Sequence, residues 1–261
     1  MKKIRILHKI FSKPISCLTA YSPSIANTLD GKIDLILVGD SLGTTLYGMS
    51  NTQKVTLNMM KIHGAAVNKV IKKSLKVLDM PYKTYENKVD AYRNAKILLK
   101  HCQPDLLKIE VSKKKLIILK HLVDKKINII SHIGVTPQSY KNFNKIKILG
   151  KTTTERNNLL RLAQESEKHG AKAVLLECVT KDTAKLITEN ISIPTIGIGA
   201  SKYCDGQVLV FDDLINLSTN IKKPKFVKNY INFRKIVSSA VKNYNREVKL
   251  KKFPSKKFTY K

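Results

Sequence analysis

Tryptophan is absent from this chain of 261 residues, and arginine is scarce. The 49 basic side chains include only Arg5, Arg93, Arg156, Arg161, Arg234 and Arg246 as arginines, and the 19 acidic residues leave a formal net charge of +30. Such a charge, taken alone, suggests nucleic acid or another anionic surface as a partner. The shortage of the Arg fork, which base and phosphate recognition favours, argues against a specific nucleic-acid binder. So does the scatter of Lys along the chain, which forms no basic domain or arm. The excess reads as a solvated lysine coat. Cysteine is limited to Cys17, Cys102, Cys178 and Cys204, with no Cys-x-x-Cys and no partnered His. That argues against a zinc site or a disulfide framework and suits a reducing, cytoplasmic setting. No apolar run approaches about 18 residues, so neither a membrane span nor a membrane partner is predicted. The basic stretch at 4–11 is too short and interrupted for a signal sequence. Neither a Gly-x-Gly-x-x-Gly after the first strand nor a P-loop pattern is present, which leaves dinucleotide and P-loop readings without support.

What is present is an ordinary apolar content of 43% and a recurring design. The run Leu35-Ile36-Leu37-Val38-Gly39-Asp40-Ser41 is apolar until it ends in a carboxylate and a hydroxyl. Lys76–Asp79, Leu106–Glu110, Ile129–His132 and Val174–Glu177 repeat it, so consecutive predicted strands end in ionisable groups. The full set of predicted strands is 15–21, 33–39, 75–79, 106–111, 127–133, 172–178, 193–198 and 206–211. Between them, helices are expected from Ser22-Pro23 to Gly31, from Thr56 to about Ser74, and over 86–101, 112–125, Thr154–His169 and 181–190. Residues 42–55 and 134–152 read as long loops. The remainder from 224 to 250 is expected to be helical, so 224–261 forms a helical extension with a basic tail on a single domain spanning 1–261. Alternation of β and α indicates an α/β fold, a closed (β/α)8 TIM barrel, with an open doubly wound sheet as the alternative.

Sites in such folds are built at the C-terminal strand ends. Asp40, Asp79 and Glu110 end neighbouring strands and offer hard oxygen ligands suited to Mg²⁺. Lys108 points to the same side of its strand as Glu110 and can bind a substrate carboxylate or pair with a buried acid. Glu177 closes an apolar strand, where burial raises a carboxyl and makes a general base. His132 is read as an acid/base, an orienting donor or a core histidine. Ser41 can donate to a carboxylate but has no base at triad spacing. Cys178, facing away from Glu177, is assigned to packing. A carboxylate-held metal, a cationic anchor and a base fit enolisation of a 2-oxo acid. The electrophile is not legible in these residues.

Several runs together resemble the ketopantoate hydroxymethyltransferase family: Leu18-Thr19-Ala20-Tyr21, Leu37-Val38-Gly39-Asp40-Ser41-Leu42-Gly43, Lys108-Ile109-Glu110, His132-Ile133-Gly134-Val135-Thr136-Pro137-Gln138-Ser139, Leu176-Glu177-Cys178-Val179, Ile193–Ala200 and Cys204–Val210. The resemblance covers about 15–258 and implies a barrel of the phosphoenolpyruvate/pyruvate type with an added C-terminal helix. It implies transfer of a one-carbon unit from 5,10-methylenetetrahydrofolate to 3-methyl-2-oxobutanoate. It also implies Mg²⁺ and the oxo acid held by Asp40 and Asp79, Glu110 completing the metal site, Ser41 and Lys108 on the substrate, and Glu177 as proton acceptor. Large homo-oligomers, often decamers, are implied too. Val111-Ser112 stand where the family usually has Gly-Gly, and Asn144-Lys145-Ile146 and Ser201 also depart from its pattern. Two other readings compete. One is a carbon–carbon lyase, for which no catalytic Cys loop is found. The other is a degenerate barrel kept as a basic RNA- or partner-binding protein, against which the intact set of five charged groups speaks.

Overall fold

In the computed structural model, which describes residues 14–142, 146–218 and 223–260, strands and helices alternate as β1 (Ile15–Thr19), α1 (Pro23–Leu29), β2 (Leu35–Val38), α2 (Leu42–Thr45), α3 (Leu57–Asn68), β3 (Leu75–Asp79), α4 (Lys88–Cys102), β4 (Leu106–Glu110), α5 (Leu116–Asp124), β5 (Ile129–Gly134), α6 (Thr153–Lys168), β6 (Ala173–Glu177), α7 (Lys181–Glu189), β7 (Thr195–Ile198) and β8 (Gly206–Leu209). The strands run parallel and close in sequence order, β8 pairing back to β1. The closed barrel settles the choice against an open sheet. By contacts the chain divides into Met1–Val210, which holds the barrel, and Phe211–Lys261. Residues 4–11 and Asn144-Lys145 lie outside the described residues.

Strand alternation decides what fills the barrel. Cys17, Leu37, Val77, Leu106, Ile130 and Leu175 belong to one buried apolar cluster. Side chains two residues further along a strand point to the same side. Those positions are Thr19, Gly39, Asp79, Lys108, His132 and Glu177, so the layer above the apolar plug is polar. At the opposite end, aspartates just ahead of β2, β4 and β8 clip neighbouring strands. Asp34 accepts from Ser16 N and Oγ at 2.8 Å, Asp105 from Lys76 N at 2.9 Å, and Asp205 from Thr195 N at 2.8 Å. Carboxylates at the N-terminal ends thus serve stability, which leaves chemistry to the C-terminal ends.

Several expected boundaries move. The helix expected to run to about Ser74 stops at Asn68, because Asp30 accepts from the N–H groups of Lys72, Lys73 and Ser74 at 2.8–2.9 Å. Helix α6 is capped by Thr152 rather than Thr154; Glu155 completes a capping box. Residues 42–55 are not wholly loop, since α2 and a 3-10 turn at Thr52–Lys54 lie within them. The 134–152 stretch holds another such turn at Pro137–Ser139.

The C-terminal unit contains α8 (Phe211–Leu214) and α9 (Phe233–Lys249). Helix α9 begins nine residues later than 224. Asn232 caps it, accepting from Lys235 N at 3.2 Å, and the chain before it is held by Tyr230 N to Leu214 O and Phe233 N to Ile215 O. None of its residues is buried; Val237, Val241, Tyr244 and Val248 form an exposed apolar stripe.

Candidate active site

The polar layer gathers Asp79, Lys108, His132 and Glu177 into one chain of contacts. Register places Asp79 beside Lys108 and Glu110 beside His132. Lys108 Nζ lies 3.1 Å from Asp79 Oδ1 and 3.4 Å from His132 Nδ1, and His132 Nε2 lies 3.2 Å from Glu177 Oε2. Lysine can only donate, so Nδ1 of His132 is the acceptor and the ring hydrogen sits on Nε2, facing Glu177. Burial, then the charge of Lys108, hold the imidazole below its ordinary value, which keeps it neutral. His132 Nε2 thus faces Glu177 at 3.2 Å without an aligned hydrogen bond, and of the three expected roles the structure gives the histidine a place between Lys108 and Glu177.

Burial works against the Lys108 ammonium, but Asp79, Asp40 and Glu110 raise its value above that of a free lysine. Burial lifts the Asp79 carboxyl to about 7, with Lys108 pulling the other way and Asp40 adding to the rise. Asp79 Oδ1 makes no aligned hydrogen bond, whereas Oδ2 accepts from Asp40 N at 3.0 Å. Burial and repulsion from Asp40 also push Glu110 well above the usual carboxylate range. Glu177 is less enclosed than its apolar strand implied: its side chain is 19% exposed, against 2% for Asp79. It opens onto the barrel mouth.

Asp40 and Ser41 follow β2. A Cβ on Gly39 would lie 2.9 Å from Ser41 Oγ and 3.4 Å from Asp79 Oδ2, so the glycine makes room for both. Ser41 Oγ shares a hydrogen bond of 2.7 Å with the hydroxyl of buried Tyr21.

The residue that ties the acids together was not singled out from sequence. Gln138, buried on the turn Pro137–Ser139, donates from Nε2 to Asp40 Oδ2 at 2.8 Å and to Met80 O at 3.1 Å. Its backbone N–H donates to Glu110 Oε1 at 3.0 Å. The wholly buried Tyr85 donates to Gln138 Oε1 and accepts from Glu110 N at 3.2 Å. Gln138 stands inside the quoted His132–Ser139 run, a signal that was available; Tyr85 had none. Asp40, Asp79 and Glu110 thus share one neighbourhood, but among the described residues no three His, Cys, Asp or Glu side chains are close enough to hold a metal ion by themselves.

Cys178, whose side chain is half-buried, follows β6 directly. It adopts φ 50, and its backbone does the work, N–H to Ile198 O at 2.9 Å and C=O from Leu149 N at 3.0 Å. Val111 is buried and donates its backbone N–H to His132 O at 2.8 Å, which ties the end of β4 to β5.

Fold and site together define a (β/α)8-barrel enzyme with an acidic, lysine-bearing C-terminal mouth. The barrel has the fold of a phosphonopyruvate hydrolase solved with oxalate and Mg²⁺ (TM-score 0.63, 11% identity, 99% of this chain and 93% of that one). It also has that of 2,3-dimethylmalate lyase, a member of the PEP mutase/isocitrate lyase superfamily (TM-score 0.60, 12% identity, 98% and 89%). The chain belongs to the ketopantoate hydroxymethyltransferase family, whose profile matches residues 2–256. It is 46% identical over 259 residues to the 3-methyl-2-oxobutanoate hydroxymethyltransferase of Pelagibacter ubique, covering 99% of both chains. Among the described residues no helix is long and apolar enough to cross a membrane.

Proposed function

We propose that this chain transfers a hydroxymethyl group from 5,10-methylenetetrahydrofolate to 3-methyl-2-oxobutanoate, forming ketopantoate (2-dehydropantoate) for pantothenate synthesis in the cytoplasm. Water and the methylene carbon enter, and tetrahydrofolate leaves. The observation that carries the reading is the connected set Asp79–Lys108–His132–Glu177 at the barrel mouth.

Glu177 is the base. It is open enough to reach a bound acid, and His132 Nε2 stands 3.2 Å from its carboxylate. It removes the C3 proton of the oxo acid, and the resulting carbon nucleophile takes the one-carbon unit. Lys108 and Ser41 bind the substrate carboxylate, with Asp40 and Asp79 close by. The donor set fits Mg²⁺: Asp79 presents a buried oxygen without an aligned hydrogen bond, and Asp40 lies against it. Magnesium commonly takes one or two carboxylates and fills its shell with water and substrate oxygens. Asp40 and Asp79 would hold the ion, with Glu110 beside them. A bound Mg²⁺ would supply Lewis-acid stabilisation for the charge that develops on the keto oxygen of the oxo acid. Clustered acids that repel one another and resist ionisation favour a cation among them.

The exposed stripe of α9 supports a homo-oligomer, a decamer by family resemblance, with the 224–261 extension of the single-domain chain supplying the contact. No specific nucleic-acid partner is assigned. The test is direct: purified protein, the oxo acid, methylenetetrahydrofolate and Mg²⁺ should yield ketopantoate, and the absence of product would sink the reading.

A further inference from the structure

Residues 42–55 leave the barrel between Ser41 and α3 and are fastened by three side-chain contacts, two of them to the stretch that follows β5. Gln53 Nε2 donates to Gln138 O at 2.8 Å, and Asn51 Nδ2 to Lys141 O at 2.9 Å. The other fastening is His63, on α3. Its Nε2 lies 2.9 Å from the Tyr47 hydroxyl, the two rings meeting edge to face at 87°. Its Nδ1 lies 2.7 Å from the carbonyl oxygen of Tyr21. A carbonyl only accepts, so Nδ1 bears the hydrogen; in the neutral ring Nε2 then accepts from Tyr47. The two bonds therefore fix both tautomer and ring orientation. Tyr21 is buried, and its own hydroxyl is the 2.7 Å partner of Ser41 Oγ.

We propose that His63 is a positioning residue for the oxo acid. It pins the Tyr21 backbone so that the Tyr21–Ser41 hydroxyl pair presents a set direction to the substrate carboxylate, and through Tyr47 it holds the 42–55 segment beside that pair. This rests on the reading that Ser41 binds that carboxylate. His63 itself touches no reacting atom and lies on a different element from every proposed catalytic group. The role predicts an effect on the oxo acid and none on the folate co-substrate, which distinguishes it from a residue that merely stabilises the fold.

The experiment is steady-state kinetics on the full-length chain with each substrate varied in turn. His63→Ala should raise KM for 3-methyl-2-oxobutanoate about five- to tenfold, the worth of a well-placed hydrogen bond, and leave KM for methylenetetrahydrofolate unchanged. His63→Asn should return the oxo-acid KM to within about twofold, because its side-chain amide offers an N–H where Nδ1 stood. Tyr21→Phe, which removes only the hydroxyl, should reproduce the rise and serves if His63→Ala does not fold. An unchanged oxo-acid KM in His63→Ala or Tyr21→Phe overturns the role. So does equal loss for both substrates, or a His63→Asn no better than the alanine variant. Wild-type turnover in the same assay separates the outcomes: without it the hydroxymethyltransferase reading falls first.

Discussion

Lys108 shows how a residue too costly for a strand interior is kept there. An isolated buried ammonium is strongly unfavourable, and one partner seldom offsets the loss of water. Here Asp79 stands 3.1 Å away, with Asp40 and Glu110 near enough to raise its proton affinity. Gly134 is a second constrained position: at φ 93, a Cβ would lie 2.4 Å from the Glu177 carbonyl oxygen. Gly134→Ala should therefore lose at least about 2 kcal/mol of stability in chemical denaturation, combining backbone strain with overpacking. A loss below about 0.5 kcal/mol, the range of neutral surface changes, would contradict that packing. Strand alternation made the shared side of Lys108 and Glu110 legible in the sequence, because a period of two needs no tertiary knowledge. Gln138 and Tyr85 were not read, because each reaches the acids from a connection whose path local pattern does not encode.

At the scale of elements, strands were more legible than helix ends. Runs apolar on both faces mark buried parallel strands whatever surrounds them. Helix α3 ends where a residue from an earlier connection takes over its backbone donors. Asp30 is that residue, and although burial works against its charged form, the N–H groups of Ser74, Lys72 and Lys73 hold its carboxyl below the usual value. A lowered carboxyl contributes stability that is present above its unfolded value and lost as pH falls through the folded one. Asp30→Ala should accordingly cost about 1 kcal/mol near neutrality, judged from the hydrogen bonds removed from a partly exposed group. In thermal melts the gap to wild type should begin to narrow as pH falls below about 4, the ordinary carboxylate value, and close at lower pH, below the folded one. A gap independent of pH would assign the stabilisation elsewhere. The start of α9 was misplaced for a related reason: its amphipathic period is clear, but Asn232, not the residues after Pro224, supplies the cap.

For the whole molecule, the +30 charge turned out to say little about the reaction, whereas the strand-end acids said much. The barrel and its acidic mouth were readable because alternation and strand-end chemistry are local signals repeated along the chain. The electrophile was not, since a folate-borne carbon leaves no mark in strand ends. Val241, 58% exposed in the α9 stripe, bears on assembly. Val241→Asp should shift sedimentation toward smaller species with little change in folding, and a wild-type chain that already sediments as a monomer would refute the oligomer. The central claim is that Glu177 takes the C3 proton of the oxo acid. It is tested most directly by proton NMR of 3-methyl-2-oxobutanoate in D2O with Mg²⁺ and no folate. The wild-type chain should exchange the C3 proton and Glu177→Gln should not, while still binding the acid. Exchange that persists in Glu177→Gln, or none in the wild type, would contradict the account.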